Sequence, residues 1–166
     1  MIAILMGVTA SGKTTIAQAL QKLTGWEYAE GDDYHSEANR AKMHAGIPLT
    51  DEDRAPWLAS LHEVLRGWVE GGQSGILTCS ALKQSYRDVL VADLPAEDWR
   101  FVLLQVPKDE LVRRLQHRAG HYMNPALLDS QLQTLEEPKD AVRVDATGPE
   151  NEIAQRVLQS LQQAKP

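Results

Sequence analysis

A chain of 166 residues, 43% apolar and 24% charged, suits one soluble globular domain with a sizeable core. Its formal net charge of −6 excludes a general nucleic-acid or membrane-surface binder, which needs a broad basic face, so an anionic ligand must be met by locally concentrated cations. The single cysteine, Cys79, excludes an intrachain disulfide and suits a reducing, cytoplasmic setting; its apolar run Gly75-Ile76-Leu77-Thr78-Cys79 favours a small buried residue over a nucleophile.

The chain opens on Ile2-Ala3-Ile4-Leu5-Met6. This run is too short for a signal sequence and lacks its basic leader, and no later stretch approaches the roughly 20 apolar residues of a membrane span. It is predicted to be a buried strand that turns at Gly7. Gly7-Val8-Thr9-Ala10-Ser11-Gly12-Lys13-Thr14 then matches G-x-x-x-x-G-K-[ST] at every position. The two glycines let the backbone approach phosphate oxygens, and the amides from Gly7 to Thr15 converge there with the positive end of the following helix. Lys13 brings a point charge to the β- and γ-phosphates, and the Thr14 hydroxyl is assigned to Mg²⁺.

Helical periodicity over 13–23 and alternation over 26–30 predict a helix and a short strand. Gly31-Asp32-Asp33 turns into a helix over 36–45 with Ser36 as N-cap. Gly46-Ile47-Pro48 breaks it. Thr50 and Asp53 form a capping box that opens a helix running to about 69, ended by Gly71-Gly72. A strand over 75–80, a helix over 83–92 and a strand over 101–106 follow, the last stopped by Pro107. Helices over 109–118 and 125–135 flank Gly120, and a strand over 141–145 precedes a closing helix over 150–163. This alternation implies right-handed crossovers and an α/β fold: a three-layer, doubly wound parallel sheet of about five strands, with helices on both faces and a helical lid. The reading is one domain over 1–166, with an acceptor-binding helical region at about 33–70 and a lid at about 113–135.

Ligands in such sheets bind at the carboxyl ends of the strands. After the second strand, Asp32 is placed to orient an acceptor hydroxyl, receive its proton or hold a Mg²⁺-bound water. His35, Asn39 and Lys42 share a helical face that either lines a polar pocket or is solvated. After the third strand, Lys83 and Arg87 lie four apart near a helix N-terminus, where cations oppose the dipole unless they hold an anion. That strand does not end in aspartate, so the usual Walker B magnesium ligand is missing and Thr14 needs help from Asp32 or Ser80. Residues 111–123 gather Arg113, Arg114, His117, Arg118 and His121 without an acid, which suggests a lid that clamps the charge of a transferring phosphoryl group. Trp57 and Trp68 lie on one helix and read as core.

Together these motifs resemble the gluconokinase family of small P-loop metabolite kinases. The resemblance rests on Gly7 to Thr14, "GDDYH" from Gly31, "NRAKMHAGIPLTDEDRAPWL" from Asn39, "CSALKQSYRD" from Cys79, "RAGHYM" from Arg118 and "SQLQTLEEP" from Ser130. It implies phosphorylation of the 6-hydroxyl of D-gluconate by ATP and Mg²⁺. By position, Asp32 would touch the sugar acid beside His35. Arg54, Lys83 and Arg87 would pair its carboxylate, and Arg118 would be the lid arginine touching nucleotide. Asp33 and Tyr34 fill variable positions, and Leu132 stands where an aromatic is common.

Shikimate- and nucleoside-monophosphate-type kinases share the loop and lid, but the blocks at 39–58 and 79–88 oppose them. A GTP-dependent switch protein fails because N-K-x-D is absent and the only D-x-x-G, Asp145 to Gly148, ends the last strand. Neither nucleic acid nor membrane is expected as a partner, and a homodimer stays open.

Overall fold

Every residue of β1 (Ile2–Met6) is buried, as a central strand of a parallel sheet covered on both faces must be. The computed structural model describes residues 1–117 and 125–164. Around β1 lie β2 (Glu27–Glu30), β3 (Gly75–Thr78), β4 (Trp99–Gln105) and β5 (Val142–Asp145). All pairs are parallel, and the order is β2-β3-β1-β4-β5. The connection after β3 therefore crosses from one side of β1 to the other. The carboxyl ends of β1 and β3 face the crevice where such a sheet binds ligands.

Strand alternation sends successive side chains to opposite faces, and each face carries its own helices. On one face Ile2, Ile4, Met6, Leu77 and Leu103 pack under α3 (Asp51–Glu70) and α4 (Gln84–Leu90), through Trp57, Leu61, Leu65, Trp68 and Leu90. On the other, Ala3, Leu5, Ile76, Val102 and Val144 pack under α1 (Lys13–Thr24) and α7 (Glu150–Gln163), through Ile16, Leu20, Ile153, Val157 and Leu161. This is the three-layer sheet expected from the alternation. Trp57 and Trp68 are core, and Trp68 lies so close over Gly75 that a Cβ there would come within 2.4 Å of its ring.

The remaining helices are α2 (Glu37–His44), α5 (Lys108–Gln116) and α6 (Pro125–Thr134). Ser36 caps α2 by accepting from the Asn39 amide. The Thr50–Asp53 capping box closes both ways, at 3.1 and 2.9 Å. Lys42 holds the Asp53 carboxylate at 2.8 Å and, with the Thr50 amide, lowers its pKa to about 2. The third strand stops at Thr78, two residues before the expected end. The next helix starts at Gln84 because Lys83 keeps extended dihedrals (φ −101°, ψ 147°). A third apolar cluster of Val8, Ala10, Leu82, Leu111, Leu115 and Leu128 ties the loop after β1 to α5 and α6. Among the described residues no helix is long and apolar enough to cross a membrane.

Candidate active site

The loop after β1 is built by its own backbone. Gly12 takes φ 93° as N-cap of α1, a left-handed conformation that favours glycine, and Ala10 tolerates φ 65° at the crest. The first turn of α1 carries no acid, so its free amides and positive dipole end are available to an anion. Lys13 Nζ donates to the carbonyls of Gly7 (2.9 Å) and Val8 (3.1 Å), which folds its charge over the loop. Ser11 Oγ is completely buried without a hydrogen-bond partner among the described residues, a local penalty within this loop.

Two residues brace this loop from far along the chain, and sequence reasoning did not single out either role. Gln131 Oε1 on α6 accepts from the Thr9 amide at 2.6 Å. Arg114 on α5 donates to the carbonyls of Ala10 (3.1 Å) and Ala146 (2.9 Å), and its Nε meets Glu110 at 3.2 Å. These contacts join the phosphate loop to the base of the expected lid and to the loop after β5. Between them lies a cavity of about 680 Å³ lined by Gly12, Thr15, Arg114, His117, Ala146 and Gly148 among others, ample for a nucleoside. Arg118, Gly120 and His121 lie outside the described residues.

On the β2 side the Thr14 hydroxyl donates to Glu30 Oε2 at 2.8 Å, and the Tyr28 hydroxyl donates to the same oxygen. Burial and this carboxylate push the Tyr28 hydroxyl pKa well above its usual range. The carboxylate paired with Thr14 is that of Glu30, a residue not named among the expected helpers Asp32 and Ser80. Strand three offers no carboxylate at its end: its last residue is Thr78, whose Oγ1 accepts from the Gly31 amide at 3.1 Å. The signal for Glu30 was an acid closing the strand beside the phosphate loop, hidden by the adjacent Asp32 and Asp33. No group of three or more His, Cys, Asp or Glu suited to a metal exists among the described residues. A hydroxyl and one carboxylate are, however, the oxygen donors Mg²⁺ accepts when phosphates and water complete its shell.

Gly31 sets the geometry of the next stretch. A Cβ there would stand 2.1 Å from the Thr78 carbonyl oxygen, so only glycine lets the chain leave β2 against β3. Its own carbonyl accepts from Trp57 Nε1 at 2.7 Å. Asp32 follows, exposed, in a 3-10 turn (Gly31–Tyr34). The charges of Lys13, Asp32 and Glu30 all act on Cys79 just past β3, so these groups gather around the sheet's carboxyl edge. The Cys79 thiol itself is buried, which pushes its pKa up to about 12 and leaves it inert.

His35 does not open onto solvent. It is 8% exposed and stacks on Trp57 with centroids 4.2 Å apart, and its Nδ1 lies 3.3 Å from the Asn39 amide nitrogen. Burial lowers its pKa, opposed by the charge of Asp32 and reinforced by Arg54 and Arg40. Asn39 donates onward to the Asp53 carbonyl at 2.9 Å, and Lys42 pairs with Asp53, so the expected polar face packs α2 onto α3. Arg54 donates to the Leu49 carbonyl (2.7 Å) and the Tyr86 hydroxyl (3.2 Å), with its guanidinium 5.3 Å from the Tyr86 ring centroid. Lys83 approaches the same ring at 5.6 Å and the Asp51 carboxylate at 3.4 Å; Tyr86 also donates to Asp51 at 2.5 Å. Arg54, Lys83 and Tyr86 thus form a partly exposed cationic cluster, which in this conformation holds an internal carboxylate.

Arg87 is turned away from that cluster. Lys83 precedes the first helical residue in an extended conformation, so spacing by four does not put the two cations on one face. Arg87 is 2% exposed and donates to the carbonyls of Ala81 (2.6 Å), Leu82 (3.2 Å) and Glu136 (2.8 Å), with Gln84 Oε1 at 3.1 Å. These partners occupy its guanidinium, so it staples the loop after β3 to the segment after α6 instead of meeting an anion.

A family model described as "AAA domain" matches residues 2–138. A gluconokinase from Gluconobacter oxydans is 52% identical over 138 residues, which cover 82% of this chain and 76% of that protein. A crystal structure of a gluconokinase from Sinorhizobium meliloti superposes with a TM-score of 0.87 at 39% identity, covering 98% of this chain and 92% of that one. An unliganded sugar kinase from Janibacter gives the same TM-score at 45% identity, covering 97% and 94%. With a complete phosphate loop on a five-stranded parallel sheet, and with this identity along most of its length, the chain belongs to the gluconokinase family of P-loop kinases.

Proposed function

We propose that the chain transfers the γ-phosphoryl group of ATP to the 6-hydroxyl of D-gluconate, giving 6-phospho-D-gluconate and ADP. The observation that carries this reading is the meeting, at the ends of β1, β2 and β3, of a phosphate loop, an exposed carboxylate and a cationic cluster. The amides from Gly7 to Thr15 bind the phosphates, and Lys13 leaves its loop carbonyls to neutralise charge developing between the β- and γ-phosphates. Thr14 and Glu30 would hold Mg²⁺, which supplies Lewis-acid charge at the phosphate oxygens when bound. Asp32 orients the 6-hydroxyl and takes its proton as that oxygen attacks the γ-phosphorus and ADP leaves. Lys83 exchanges Asp51 for the gluconate carboxylate, which Arg54, released from the Tyr86 hydroxyl, grips bidentately. Arg118, as the family resemblance implies, would place its charge on the triphosphate. One buried, unreactive cysteine fits work in the cytoplasm.

The test is ADP release from ATP with Mg²⁺ across gluconate, glucose, shikimate and nucleoside monophosphates. Gluconate is expected to be preferred by a wide margin. A preference for shikimate or a monophosphate contradicts the proposal.

A further inference from the structure

We infer that Tyr28 is a positioning residue for metal-dependent nucleotide binding: it fixes the Glu30 carboxylate against Thr14. The inference rests on the reading that Thr14 and Glu30 hold Mg²⁺, and goes beyond it by naming what orients the carboxylate.

β2 is an edge strand, so Glu30 at its end has a neighbouring strand on one side only. A glutamate there has three rotatable bonds, and its partner across β3 is Thr78, whose Oγ1 accepts from the Gly31 amide. Tyr28 supplies the missing constraint. Residues 28 and 30 are two apart on one strand and so project to the same face. The Tyr28 ring packs against the core cluster under α1 and α7, opposite Ile76 in the β2–β3 register. With its ring fixed, the hydroxyl is a rigid donor, and it donates to Glu30 Oε2, the oxygen that also accepts from Thr14. The carboxylate is thereby aimed at the hydroxyl that leads the first turn of α1. A carboxylate drawn from the edge strand, with an aromatic hydroxyl as its post, does the work of the absent aspartate on strand three. Residues that orient metal-binding groups without touching the metal are worth about 10- to 100-fold in metal affinity.

The experiment uses the full chain and a non-hydrolysable ATP analogue, titrated calorimetrically in Mg²⁺ and in EDTA without gluconate. The readout is the ratio of the two dissociation constants, which isolates the contribution of the metal. Tyr28→Phe keeps the ring in the core and removes only the donor. It is expected to lower the ratio about tenfold while leaving the constant in EDTA unchanged. Glu30→Gln is expected to lower the ratio at least as far. If Glu30→Gln lowers it and Tyr28→Phe does not, Tyr28 is packing alone and the inference falls while the metal reading stands. Wild-type ratios in both variants overturn the metal reading and the inference with it. A Tyr28→Phe protein that binds the analogue more weakly in EDTA, at an unchanged ratio, has a damaged loop, which also overturns the inference.

Discussion

The carboxylate at Asp32 and the guanidinium at Arg87 show how far the environment of a single residue decides its role. Asp32 is exposed beside the phosphate loop, and an amide in its place keeps the shape but accepts no proton. Asp32→Asn is expected to lower kcat by roughly 10²–10⁴ while ATP affinity stays within a few-fold, measured by steady-state kinetics and analogue binding. Arg87→Ala should instead act on the fold. It removes the donor to three backbone carbonyls and leaves buried acceptors unpaired, a loss of about 2–4 kcal/mol in urea unfolding. The gluconate KM of the folded fraction should change little. His35 gives the pH signature. Burial holds its folded pKa below the unfolded value, so the unfolded chain binds more protons as pH falls past about 6.5. Stability contributed by neutral His35 is therefore present above that pH and is lost on acidification. His35→Gln should flatten the fall in Tm between pH 7.5 and 5.5; an unchanged slope would show that other groups carry it.

Elements built from local signals were legible in the sequence, and long-range ones were not. The phosphate loop and the Thr50–Asp53 box depend on residues within one turn, so spacing alone revealed them. The staple by Arg87 depends on where Lys83 leaves the helix and on Glu136, 49 residues away. The brace from Gln131 to Thr9 spans 122 residues, and that from Arg114 to Ala10 spans 104. No periodicity reports such pairs. Glu30 was local yet overlooked, because the neighbouring Asp32 and Asp33 offered a simpler home for the same chemistry. The junction of β2 with β3 tests this scale. Gly31→Ala forces a Cβ against the Thr78 carbonyl and is expected to cost roughly 1–3 kcal/mol and to displace Asp32, lowering both Tm and kcat. Gly67→Ala is its control: within α3 a Cβ there meets nothing within 4 Å. That variant should gain about 0.4–1 kcal/mol and keep its kcat.

Across the whole molecule the sheet divides the labour. The loop after β1, braced by α5 and α6, faces the cavity that the proposed function gives to the nucleotide, while β2, α2, α3 and α4 carry what it gives to the acceptor. With a net charge of −6, attraction for an anionic acceptor has to come from a local cluster, and on the proposed function Arg54 with Lys83 around Tyr86 would supply it. Holding a carboxylate there leaves a charged group unpaired when a neutral sugar binds, a penalty of roughly 2–5 kcal/mol. The most direct measurement is therefore the ratio of kcat/KM for gluconate to that for glucose at saturating ATP, in the wild type and in Arg54→Ala. The expected ratio is at least about 30 in the wild type, narrowing sharply in the variant through a raised gluconate KM. A wild type that phosphorylates glucose as well as gluconate would contradict a sugar-acid kinase.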